Sequence, residues 1–103
     1  MQLIDVLDER IIDLNAEAAN KEEVLTLLAG KLKDAGYIAD VEAFKKDIYL
    51  RESEGTTGIG NYIAIPHGKS DSVTQVGIAI AKLKHAIEWE TLDDKGVRLV
   101  FLF

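Results

Sequence analysis

The run Leu99-Val100-Phe101-Leu102-Phe103 is the strongest constraint on how this chain can fold. Five consecutive apolar residues with no polar alternation read as a β-strand buried on both faces, the pattern of a sheet with cover above and below it. Extended back to Val97, the run predicts a strand over 97–103. Domains seldom end on such a strand, because chain termini usually lie at the surface. The sequence therefore predicts a single domain over residues 1–103 that lacks its C-terminal portion. With 48% hydrophobic residues in 103, the chain has enough apolar material for one modest core.

The other elements follow from local pattern. Leu3 to Leu7 suits a short helical turn, and Ile11-Ile12-Asp13-Leu14 reads as a first strand. Asn20 followed by Glu23 resembles a capping box, and Val24, Leu25, Leu28, Leu32 and Ala35 recur at helical spacing, so a helix is expected over Asn20 to Ala35, stopped by Gly36. Asp40 can cap a second helix reaching Glu54, with Val41, Phe44, Ile48 and Leu50 facing inward and Arg51 in its last turn. Tyr62 to Ile65 and Val76 to Ala81 read as strands, with a polar turn at Lys69 to Ser72 between them. Glu88 to Gly96 reads as loop and turn. Strand, two helices and then several strands predict an α/β (α+β-like) fold, a mixed β-sheet flanked by helices.

One stretch reads as a site rather than as scaffold: Arg51-Glu52-Ser53-Glu54-Gly55-Thr56-Thr57-Gly58-Ile59-Gly60-Asn61-Tyr62-Ile63-Ala64-Ile65-Pro66-His67-Gly68. Pro66 has no N–H with which to continue a ladder, so the strand should end there with His67 at its mouth. A neutral imidazole offers a lone pair near pH 7, and Gly68 has no side chain to crowd an approaching group. Thr56-Thr57-Gly58-Ile59-Gly60 reads either as a flexible connector or as an anion-holding nest of backbone N–H groups and hydroxyls. Its spacing is not that of a Walker A loop, which disfavours nucleotide binding. Arg51 has two readings: a cation favoured at a helix C-terminus, or a ligand for an anion at the site. Glu52 either orients a neighbour or is solvated. His85, next to Lys84 in a polar segment, is expected to be exposed and inert, and Trp89 and Tyr37 to be packing residues.

Glu52, Ile59-Gly60 and Ile63-Ala64-Ile65-Pro66-His67-Gly68, at these spacings, resemble the active-site signature of the enzyme IIA (EIIA) domain of the phosphoenolpyruvate-dependent sugar phosphotransferase system (PTS), fructose/mannitol class. The segments IIDLN, KEEVL, AKLKHAIEWE and VRLVFLF are also similar to this family, so the resemblance covers the whole chain. It implies a mixed sheet flanked by helices. It implies that His67 accepts a phosphoryl group on a ring nitrogen from the phosphocarrier HPr and donates it to a IIB domain, in step with sugar uptake and phosphorylation. It also implies that Arg51 steadies the phosphoryl group. On their own chemistry, Thr56, Thr57, Gly58, Gly60 and Gly68 are candidates to surround that group, and Glu52 either orients a neighbour or is solvated. A fused or associated IIC membrane component is implied as a further partner. In that family the domain continues with a further strand and helix and a second histidine; His85 lies in the wrong segment to match it. A rival reading is a regulatory IIA-like module, nitrogen-related or part of a transcription regulator, whose phosphorylation state controls a partner.

Composition narrows the field further. A net charge of −6, from 12 basic and 18 acidic residues, opposes binding to a nucleic-acid backbone. No apolar run approaches the length of a membrane span, and the first ten residues carry acids where a signal peptide would carry lysines, so a cytoplasmic chain without direct membrane insertion is expected. Without cysteine there is no disulfide framework and no thiolate metal site. Two distant histidines without ligand spacing give no metal set, so a metal hydrolase is set aside and neither metal nor cofactor is expected.

Overall fold

The computed structural model describes residues 8–68, 73–75 and 77–102. Strand β1 (Ile12–Ala16) follows a 3-10 turn over Glu9–Ile11, and two helices follow, α1 (Lys21–Asp34) and α2 (Val41–Glu54). Strands β2 (Gly58–Gly60), β3 (Ile63–Ala64), β4 (Ala79–Ile87) and β5 (Val97–Leu102) complete one sheet in the order β1-β4-β5-β3-β2. It is a mixed sheet: β1 runs parallel to β4 and β3 parallel to β5, while β4 and β5, and β2 and β3, are antiparallel. The expected turn over Leu3 to Leu7 and the polar turn at Lys69 to Ser72 lie outside the described residues.

Both helices start where their caps dictate. The Asn20 side chain accepts from the Glu23 amide at 2.9 Å, while the Glu23 carboxylate accepts from the Ala19 amide and the Asn20 amide group, both at 3.3 Å. Asp40 accepts from the Ala43 amide at 3.1 Å. Gly36, at φ +84°, takes the left-handed conformation just beyond α1. Val24, Leu25, Leu28, Ala29 and Leu32 of α1 meet Phe44 and Ile48 of α2 and the small residues Ala79 and Ala81 of β4 in one core. Leu50, expected to face inward, is 65% exposed; it lies two residues past Ile48, about 200° around the helix.

Three strand readings are corrected. Tyr62 is not in β3: with Asn61 it has positive φ (66° and 54°), the conformation of a type I′ hairpin turn joining β2 to β3. The glycines 58 and 60, read as loop, form the short edge strand β2. The fourth strand, expected over Val76 to Ala81, runs from Ala79 to Ile87: Val76 lies outside the described residues, Gly77 and Ile78 precede the strand, and Ala79, Ala81 and Leu83 are buried while Lys82 and Lys84 are exposed, a period of two. His85 is therefore on a strand, and exposed. The terminal run forms β5, between β4 and β3. Val97, Val100 and Leu102 are fully buried, while Leu99 and Phe101 are only half-buried.

Candidate active site

His67 stands at the C-terminal end of β3. Ile65 beyond that strand donates its N–H to the Thr57 carbonyl at 3.0 Å, and Pro66, which cannot donate, is fully buried behind it. At Gly68 the chain presses onto α2 so closely that a Cβ there would lie 2.3 Å from Cε1 and 2.5 Å from Cζ of Phe44. The histidine is thus held between two fixed points, Ile65 on Thr57 and Gly68 on Phe44. Because Thr57 lies just past the end of α2 and Phe44 near its start, segment 65–68 runs back along that helix. The imidazole is half-buried, with Nδ1 buried.

Arg51 lies on the same stripe of α2 as Phe44 and Ile48, seven and three residues later, which places it about 10 Å further along the axis than Phe44. Its Nη1 donates to the Gly55 carbonyl at 2.9 Å, so part of the guanidinium closes its own helix end. Glu52 is not solvated: its side chain is only 7% exposed, accepts the Thr57 hydroxyl at Oε1 and pairs with Lys21 Nζ at 3.0 Å through Oε2.

The glycine-rich segment is tightly engaged. The Thr56 hydroxyl donates to the Glu90 carbonyl and accepts from the Gly58 amide at 3.0 Å. Gly58 must be glycine for space, since a Cβ would sit 2.4 Å from the Glu90 carbonyl oxygen. Gly60, at φ +95°, lies against Asp93, whose carboxylate also accepts from the Asn61 amide at 3.0 Å and is held below the usual carboxylate range chiefly by that bond. The hydroxyls of Thr57 and Thr56 thus brace the segment against α2 and the loop at 89–91, while the Gly58 amide bonds within the segment. Sequence reasoning passed over Lys21 and Phe44 as site residues. The signal for Lys21 was its sign, a cation in the first turn of a helix. Phe44 carried no such signal, since the close approach of Gly68 depends on tertiary packing.

Among the described residues no group of three or more His, Cys, Asp or Glu side chains could hold a metal ion, and no helix is long and apolar enough to cross a membrane. A mixed sheet flanked by helices, with a histidine at a strand mouth pinned against a helix, defines the class of protein. Residues 5–103 match the family described as phosphoenolpyruvate-dependent sugar phosphotransferase system, EIIA 2, and the chain belongs to it. The chain is 39% identical over 99% of its length to the PTS system fructose-specific EIIABC component of Bacillus subtilis, but spans only 16% of that protein. Among solved structures, nitrogen regulatory protein IIA-Ntr from Neisseria meningitidis superposes at TM-score 0.86 with 26% identity, covering 98% of this chain and 69% of that one. The complex of enzyme IIA-mannitol with phosphorylated enzyme IIB-mannitol from Escherichia coli matches at TM-score 0.78 with 27% identity, covering 93% of this chain and 67% of that one.

Proposed function

We propose that this chain is a phosphoryl carrier of the sugar phosphotransferase system that takes a phosphoryl group from phospho-HPr on His67 and passes it to a IIB domain. The observation that carries the reading is the pinned histidine. Phosphoryl transfer has a loose transition state, so a carrier contributes mainly position and charge balance, and Ile65 and Gly68 fix the imidazole on both sides. With Nδ1 buried, Nε2 is the nitrogen that meets the donor. Its lone pair forms the bond to phosphorus as the bond from phosphorus to HPr breaks, and the sequence repeats in reverse towards IIB. Arg51 balances the phosphoryl oxygens with whatever donors the helix end does not use. A cytoplasmic site of action follows from this chemistry.

The test is incubation with phosphoenolpyruvate, enzyme I and HPr, followed by intact mass and then by addition of IIB domains. One phosphoryl group is expected, lost in acid and retained in base. His67→Ala should abolish it and His85→Ala, on the exposed face of β4, should not; label that survives His67→Ala removes the assignment. A regulatory reading has one observation in its favour, the overlay on IIA-Ntr at TM-score 0.86. It shares His67 and predicts that the phosphorylated chain passes its group to no IIB domain.

A further inference from the structure

We infer that Lys21 is a positioning residue for His67, acting through Glu52 and Thr57; the inference rests on the assignment of His67 as phosphoryl acceptor. Lys21 is the first residue of α1, where the positive end of the helix dipole disfavours a cation, and its neighbours Glu22 and Glu23 follow the usual preference. The cost is offset at a distance of 31 residues, where Nζ reaches Glu52 Oε2 at 3.0 Å. Its ammonium also lies 4.6 Å from the centre of the Trp89 ring. A pair this withdrawn from water, with Glu52 7% and Lys21 27% exposed, gains little net stability, because desolvation consumes most of the attraction. What it supplies is a direction for the Glu52 carboxylate.

That direction leads to the site. The second oxygen of Glu52 takes the hydroxyl of Thr57, which is itself 2% exposed, and the Thr57 carbonyl takes the Ile65 amide at 3.0 Å. Pro66 has no N–H, so the Ile65 bond is the last backbone donation the chain can make before His67. Lys21, Glu52, Thr57 and Ile65 therefore form a continuous path from the start of α1 to the residue that aims the imidazole. Without the ammonium, Glu52 would be a buried carboxylate lacking its counter-charge. It would turn towards water and release Thr57.

The variants are Lys21→Met, which keeps the stem over Trp89, and Lys21→Arg, which keeps the charge. Two quantities are read: amide exchange of Ile65 in the unphosphorylated domain, compared with amides of the β4–β5 ladder, and the kinetics of phosphorylation by phospho-HPr. A misplacement near 1 Å can cost about a hundredfold in rate. Lys21→Met should accordingly exchange Ile65 about tenfold faster with the ladder unchanged, and lose about tenfold in kcat at unchanged KM. Lys21→Arg should restore both. Should Lys21→Met fail to fold, Glu52→Ala, which removes the acceptor for Thr57 altogether, is expected to give the same two changes. Unchanged Ile65 exchange, or a loss confined to KM, overturns the inference. If the parent chain takes no phosphoryl group, the carrier assignment fails and the inferred role falls with it; the exchange data then report only on the Lys21-to-Ile65 path.

Discussion

At Arg51 charge and geometry can be separated. The guanidinium closes the end of α2 through the Gly55 carbonyl, and that bond alone would justify a cation in the last turn. If Arg51 also donates to the oxygens of the phosphoryl group on His67, its planar pair of donors matters, because lysine offers the same charge as a single point. Arg51→Lys should then leave the melting temperature nearly unchanged, since an ammonium still suits the helix end. Phosphorylation by phospho-HPr should slow by about ten- to a hundredfold, corresponding to the loss of a charge-assisted bond of about 1.5–3 kcal/mol. Stopped-flow kinetics beside thermal unfolding check this. Parent-like kinetics for Arg51→Lys, with Arg51→Ala only melting earlier, would mean that the residue serves the helix alone. A strand, a proline and a glycine around His67 were legible in the sequence because each has a local cause. The burial of Glu52 was not: nothing in a string of residues shows that Lys21, 31 positions away, lies opposite it.

Elements set the site through contact between α2 and the chain leaving β3. The two helices were readable from caps and a 3.6-residue period, and β5 from its unbroken apolar run. The length of β4 was obscured because Lys-Leu-Lys-His looks polar until its alternation is set against a neighbouring strand, and β2 because glycines carry no propensity for an edge strand. The contact itself is tight at Gly68, where three atoms of the Phe44 ring lie within 2.8 Å of a virtual Cβ. Phe44 is 2% exposed and cannot swing out. Gly68→Ala should therefore destabilise the fold by about 1–3 kcal/mol, the cost of overpacking a filled core. Phe44→Leu removes the ring edge and should cost less in the Gly68→Ala background than in the parent. Chemical unfolding of the four proteins in a double-mutant cycle measures this, with a coupling of at least about 0.5 kcal/mol expected; simple additivity would mean that the segment after His67 moves freely away from α2.

For the molecule as a whole, the two helices must keep their relative position if the path from α1 to His67 is to hold, and a polar clamp joins them at the surface. Glu22 of α1 accepts from both Lys45 and Tyr49 of α2. The Lys45 bond, followed by that from Tyr49, lowers the Glu22 pKa, while burial first and Glu22 second push the Tyr49 hydroxyl well above its ordinary range. The two shifts act at opposite ends of the pH scale. A lowered folded-state pKa at Glu22 contributes stability that is complete above the unfolded glutamate value of about 4.3 and is lost as pH falls through the folded value. A raised folded-state pKa at Tyr49 contributes stability that is complete below about pH 10 and is lost as pH rises through the folded value. The clamp should therefore be at full strength across the neutral range. In urea unfolding at stepped pH, the stability difference between the parent and Glu22→Gln should be constant from about pH 5 to 9 and shrink as pH falls below about 4. A difference that persists undiminished at pH 3 would show that the bonds to Glu22 do not depend on its charge; no difference at any pH would show that the helices are held by their apolar stripe alone.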